Sequence, residues 1–177
     1  DPRHARIIEI AERSPVQTVL DAGAPRGRWI QLDPKFDADA MKRGITPGAF
    51  EDYPLDQWSA AMNVNLTGLF LCCKYLGGAM KSGGSVINVS SVAGHVGLVR
   101  SVPYCGSKGG VEMLSKSLAL DWAKRGVRVN TLAPGWVDTP GNAATGRMEA
   151  AAKSIPLGRV AQPSEIAQWV WQLTGSG

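Results

Sequence analysis

The sequence predicts an α/β domain, a parallel sheet joined by crossover helices. Long stretches with apolar residues three or four apart alternate with short apolar runs of strand length. The short runs stop at glycine or Pro-Gly turns, as strands do. Strands separated in series by helix-length segments pair in parallel, because each return passes through a crossover.

Asp1-Pro2 suits the N-cap and first position of a helix over residues 2–13, with Ile7, Ile10 and Ala11 on its apolar face. Residues 16–20 and 29–32 are short apolar pieces, and the second reads as a strand ending at Asp33-Pro34. Residues 34–54, rich in Pro, Gly and Asp, carry no assignment. Residues 56–80 read as one long helix, with Trp58, Met62, Leu66, Leu69, Cys73, Leu76 and Met80 on its apolar stripe. A Gly83-Gly84 turn leads to a strand at 85–89. A second long helix spans 104–124, with Val111, Leu114, Leu118 and Trp122 on one face and Gly126 ending it. A strand at 127–133 stops at Pro134-Gly135, and a last helix at 163–173 turns Ile166, Trp169, Val170 and Leu173 inward.

Composition narrows the function classes. The chain has 177 residues, about one domain, with a net charge of +4 and 44% hydrophobic residues. That balance excludes a disordered chain. No apolar run approaches the ~20 residues of a membrane helix, and the N-terminus has no apolar signal core. The basic residues are scattered, so neither nucleic acid nor a membrane is expected as a partner. Cys72, Cys73 and Cys105 have no disulfide or metal spacing, so reduced thiols in the cytoplasm and no metal are expected. Glycine is in excess, 21 residues, concentrated at particular places.

Tyr104 and Lys108 stand four apart at the start of a helix, one turn apart on one face. A tyrosine hydroxyl ionises near pH 10. An ammonium ~5 Å away supplies ~3 kcal/mol at an effective dielectric of ~20, enough to bring it toward neutrality. Such a pair also occurs on ordinary helix surfaces. Its context is more telling: Ser91 lies just past the strand at 85–89, where parallel sheets place ligand sites. Gly106, Gly109 and Gly110 each cost a helix up to ~1 kcal/mol, which points to close approach of another backbone or helix as compensation.

Five segments appear in one order and spacing: Asn63-Val64-Asn65-Leu66-Thr67-Gly68, the run from Val86 through Ser90-Ser91 to Gly94, the Tyr104/Lys108 pair, Arg128-Val129-Asn130, and Pro134-Gly135-x-Val137-x-Thr139. Together they resemble the short-chain dehydrogenase/reductase family, over about residues 48–173. The resemblance implies a Rossmann-like, doubly wound parallel sheet with helices on both faces, and an NAD(P)-dependent exchange between a secondary alcohol and a ketone. It makes Tyr104 the acid/base, with Lys108 lowering its pKa and holding the nicotinamide ribose. Ser91 would hydrogen-bond the substrate oxygen, and Asn65 would hold a relay water. Pro134, Gly135, Val137 and Thr139 would meet the nicotinamide. His95, Val96, Leu98, Trp136 and Asn142 are substrate-pocket candidates, and residues 141–153 look like a flap over it. The two long helices would pair copies into a homodimer or homotetramer.

The chain departs from the family at its start. The Gly-rich phosphate loop is missing, since Pro25 and Arg26 interrupt the only glycines nearby. Residues 1–47 therefore read as a degenerate or incomplete cofactor part, and residues 48–177 as the catalytic part of one domain. Only Gly44 remains of the family's Asn-Asn-Ala-Gly. Asp1 would meet the adenosine ribose and favour NAD over NADP, and Asp33 would lie near the adenine. A sheet lacking its central strands would leave Val86, Ile87 and Val129 poorly covered, so segments of the natural protein are expected to be missing from the chain. The rival reading is an inactive scaffold that oligomerises through the same helices.

Overall fold

The computed structural model describes residues 18–21, 29–32, 50–80 and 83–174. The expected helix at 2–13 and the candidates Asp1, Asp33 and Gly44 lie outside the described residues. Strands β1 (Thr18–Asp21), β2 (Trp29–Leu32), β3 (Ser85–Val89) and β4 (Arg128–Leu132) form one sheet in the order β2-β1-β3-β4. β3 and β4 are parallel, with Val86 opposite Val129. β1 runs antiparallel to both β2 and β3, which departs from the all-parallel expectation. Between β1 and β2 the reason is length: only residues 22–28 join them, and a parallel return needs about a dozen.

The first long helix begins as α1 (Leu55–Met62), passes through a π turn (Asn63–Thr67) and continues as α2 (Gly68–Tyr75). It ends short of Met80, giving way to a 3-10 turn over Gly77–Ala79. Glycine is a poor helix former, and Gly77 is also pressed on Trp122, whose ring a Cβ would overlap. Helix α3 (Val102–Trp122) has Pro103 in its first turn, and beyond it Gly126 adopts a left-handed φ of 67°. It makes the crossover from β3 to β4.

The segment 141–153, read above as a flap, is largely helical. Thr139 caps α4 (Pro140–Ala143) by accepting from the Asn142 N–H, and the alanine-rich Met148–Ser154 forms α5. In α6 (Pro163–Thr174), Ile166, Val170 and Leu173 are half-buried, but Trp169 is 61% exposed, against expectation. It sits at the edge of the stripe, about 60° around the helix from Ile166.

Alternation along β3 divides its side chains between two layers. Val86 joins Leu69, Cys72, Cys73, Met80, Val111 and Val127 in the core under α2 and α3. On the same face, Asn88 donates to Ser115 Oγ at 2.8 Å. Ser85, on the other face, donates to the Leu173 carbonyl of α6 at 3.1 Å. The sheet thus has helices on both faces. Val86 and Ile87 are fully buried and Val129 half-buried. β1 lies along the edge of β3 that would otherwise be open. No helix among the described residues is long and apolar enough to cross a membrane.

Candidate active site

The parallel pair ends with both chains at the same edge of the sheet. Beyond β3, the Ser90 N–H donates to the Leu132 carbonyl at 2.7 Å and the Val92 N–H to the Pro134 carbonyl at 3.0 Å. The two departing segments stay side by side, which brings Ser91 and the Pro134-Gly135 turn together. Ser91 Oγ accepts from the Ala93 N–H at 3.2 Å and caps the 3-10 turn Val92–Gly94. That turn lies on α3. A Cβ at Gly94 would stand 3.0 Å from the Lys108 backbone, and one at Gly109 would be 3.5 Å from the Gly94 carbonyl. Gly110 admits Leu66, which would come within 2.8 Å of an added Cβ. The helix glycines therefore serve the close approach that their cost implied.

This packing brings Tyr104 toward Ser91, close enough for the serine side chain to lower the phenol's pKa. Lys108 Nζ donates to the Val89 carbonyl at 3.0 Å and lies 5.8 Å from the centre of the Tyr104 ring. Burial pulls the ammonium down to a pKa of about 8. It also pushes the Tyr104 phenol above its ordinary value; the Ser91 side chain offsets part of this, and Cys105 adds slightly to the rise. The lowering by Lys108 expected from the sequence is thus not what this structure shows. Desolvation dominates at the phenol, while the ammonium is turned to a strand-end carbonyl.

Asn65 sits in the π turn, a backbone irregularity frequent at functional sites. Its Nδ2 donates to Ser107 Oγ at 3.0 Å, and Ser107 donates to the Tyr104 carbonyl at 2.8 Å. It therefore reaches the site through the backbone of the tyrosine. Gly135 is exposed, its nearest neighbour to an added Cβ being Val92 Cγ1 at 3.9 Å. Val137 forms a bridge with Ala161, Trp136 accepts from the Ala161 N–H, and Asn142 Nδ2 donates to the Val137 carbonyl at 2.9 Å. Asn142 and Thr139 are thus engaged in shaping the segment after Gly135. His95 is turned elsewhere, with Nε2 at 3.1 Å from Glu112 Oε1. Glu112 lies about 12 Å along the helix from Tyr104. Ser90, Ser107 and Glu112 were missed. For Glu112 helical spacing gave the face, one turn past Lys108 and in line with Tyr104, but not the partner, Ser90.

The donors present fit the nicotinamide end of a dinucleotide. They are a buried ammonium, a tyrosine hydroxyl and an open Gly135 backbone, gathered at the C-terminal ends of two parallel strands. Among the described residues no cluster could hold a metal ion.

A family model described as enoyl-(acyl carrier protein) reductase matches residues 14–176. The chain belongs to the short-chain dehydrogenase/reductase family. Among curated members, D-threitol dehydrogenase of Mycolicibacterium smegmatis is 38% identical over 164 residues, covering 90% of the chain and 61% of the relative. Trans-4-hydroxycyclohexanecarboxylate dehydrogenase of Sinomonas cyclohexanicum is 40% identical over 146 residues, covering 81% of the chain and 55% of the relative. A variant of actinorhodin polyketide ketoreductase, solved with NADPH, superposes with a TM-score of 0.68 at 33% identity, over 73% of the chain and 56% of that structure. The chain thus spans less than two thirds of the length of these short-chain dehydrogenases/reductases.

Proposed function

We propose that the chain carries the catalytic half of a nicotinamide-dependent oxidoreductase that interconverts a secondary alcohol and a ketone. The observation that carries this reading is the gathering of Ser91, Tyr104 and Lys108 where β3 and β4 end, with the Lys108 ammonium 5.8 Å from the centre of the Tyr104 ring and bonded to the Val89 carbonyl. Tyr104 Oη and Ser91 Oγ form a two-point clamp for one substrate oxygen. When bound, the nicotinamide supplies or takes up the hydride at the carbon bearing that oxygen. In reduction, Tyr104 gives its proton to the oxygen; in oxidation, the ionised phenol takes it back. A phenol held above its ordinary pKa is neutral at pH 7, the form that reduction needs. The buried Lys108 ammonium would hold the cofactor ribose, and the Pro134-Gly135 turn, exposed at Gly135, would let the backbone approach the nicotinamide. Val137 and Thr139 belong to the same wall.

NADPH in the related ketoreductase supports nicotinamide use; a preference for NAD finds no support there. The relatives named for threitol and hydroxycyclohexanecarboxylate favour a small, polar secondary alcohol. Trp136, half-buried and next to Gly135, is the pocket candidate nearest that turn in the chain. Association into a homodimer or homotetramer is supported by exposed Phe70, Leu71 and Tyr75 on α2 and by Met113 and Leu120 on α3.

The test is nicotinamide absorbance with a panel of secondary alcohols and ketones. Tyr104→Phe should lower kcat about 100- to 10,000-fold, the usual worth of positioned acid–base catalysis. Retained turnover in that variant, or failure of the protein to bind either cofactor, would overturn the reading and leave the scaffold alternative.

A further inference from the structure

We propose that Glu112 is a positioning residue, whose buried carboxylate, shared by Ser90 and His95, holds the Ser91-bearing turn in register with Tyr104. The inference rests on the reading of Tyr104 and Ser91 given above and assigns a role to groups that the reading leaves unused.

Tyr104, Lys108 and Glu112 follow one another at single-turn intervals on the inward face of α3. Glu112 is only 6% exposed. A carboxylate is costly to bury unless its oxygens are bonded, and packing alone would be served by an apolar residue such as the adjacent Val111. The one Ser90 hydroxyl proton lies between two acceptors on successive turns of α3, the Lys108 carbonyl at 2.9 Å and Glu112 Oε1 at 3.0 Å. The same Oε1 takes His95 Nε2 at 3.1 Å, from the residue that ends the Val92–Gly94 turn. Ser91 lies between these two anchors. Gly94 lets the turn sit directly over them, since a Cβ there would be 2.7 Å from both Glu112 Oε1 and Ser90 Oγ. Ser90 also follows Val89, whose carbonyl receives Lys108 Nζ. One carboxylate thus braces the turn that presents Ser91 and the strand end that holds the lysine, without touching the substrate oxygen.

The test is a double-mutant cycle of Glu112→Leu, which removes the shared acceptor, and His95→Ala in the full protein, with kcat and KM read by nicotinamide absorbance. His95 has a largely exposed side chain, so its variant folds. Each single change should lower kcat roughly tenfold with the cofactor KM unchanged, and the double variant should be no slower than the slower single one. Multiplying losses, or unchanged kcat in both single variants, would overturn the proposal. An arm independent of turnover is amide exchange over residues 90–96, which should quicken roughly tenfold in either variant; unchanged exchange in both would also overturn it. If Tyr104→Phe keeps full turnover, the reaction assignment fails, and the exchange arm still decides the brace.

Discussion

Replacing Lys108 by methionine should make the protein inactive and, at neutral pH, more stable. The ammonium is 5% exposed, and burial takes its pKa from 10.5 to about 8. Each pKa unit is worth about 1.4 kcal/mol, so below pH 8 this charge costs the folded state about 3 kcal/mol. The sign follows from proton counts. Between pH 8 and 10.5 the unfolded chain keeps a proton that the folded protein has shed, so stability from this group rises with pH across that window. The relief is complete above about 10.5 and absent below about 8. Methionine fills similar volume but leaves the Val89 carbonyl without its donor, a loss of about 1 kcal/mol. The net gain for Lys108→Met is about 2 kcal/mol at pH 7, shrinking to nothing or reversing by pH 10. Urea unfolding of both proteins at pH 7 and pH 10 measures it, and the difference between them cancels Tyr104, whose raised pKa acts in the opposite sense at high pH. A variant less stable than wild type at pH 7, or a difference that ignores pH, would refute the reasoning.

Gly94→Ala should lower thermal stability by about 1–3 kcal/mol, the usual cost of overpacking, because its Cβ would meet Glu112 Oε1, Ser90 Oγ and the Lys108 backbone. Its kcat should fall as well, and a variant with wild-type Tm and turnover would show that the contact relaxes freely. Thiol titration of the folded protein should modify Cys105 first. Cys73 is buried and pushed up to about 12, leaving almost no thiolate at pH 8. Rapid labelling of Cys73 without denaturant would show that the core around it opens.

Much of the catalytic part could be read from the residues because its information is local. Apolar spacing marks the stripes of α2 and α3, and the Pro-Gly after β4 marks its end. Tyr104 and Lys108 are related by one helical turn, which spacing alone reveals. The π turn at Asn63–Thr67 could not be read, because it changes only hydrogen-bond register within an unbroken right-handed helix. The direction of β1 against β3 was equally hidden, since the residues between them do not limit how the chain returns. Ser107 and Glu112 escaped for a third reason. Each acts through a partner far along the chain, Asn65 in one case and Ser90 in the other. His95 was legible as a residue near the site but not as one turned away from the phenol, because loop geometry decides which end of α3 it reaches.

The glycine excess and the buried charges belong to one physical problem. A tyrosine and a lysine are useful here only if a strand end comes close enough to use them, yet that approach strips both of water. The chain brings the surfaces together by removing side chains: Gly94 lies on the Lys108 backbone and Gly110 on Leu66, at distances a Cβ would not allow. The desolvation that results raises the phenol and depresses the ammonium. The polar atoms left inside are then satisfied pairwise, Lys108 by the Val89 carbonyl and Glu112 by Ser90 and His95. Close approach and perturbed protonation are therefore coupled. A variant that loosens the Gly94 contact should let both groups drift back toward their ordinary pKa values, so the pH profile of turnover should shift together with the loss of packing.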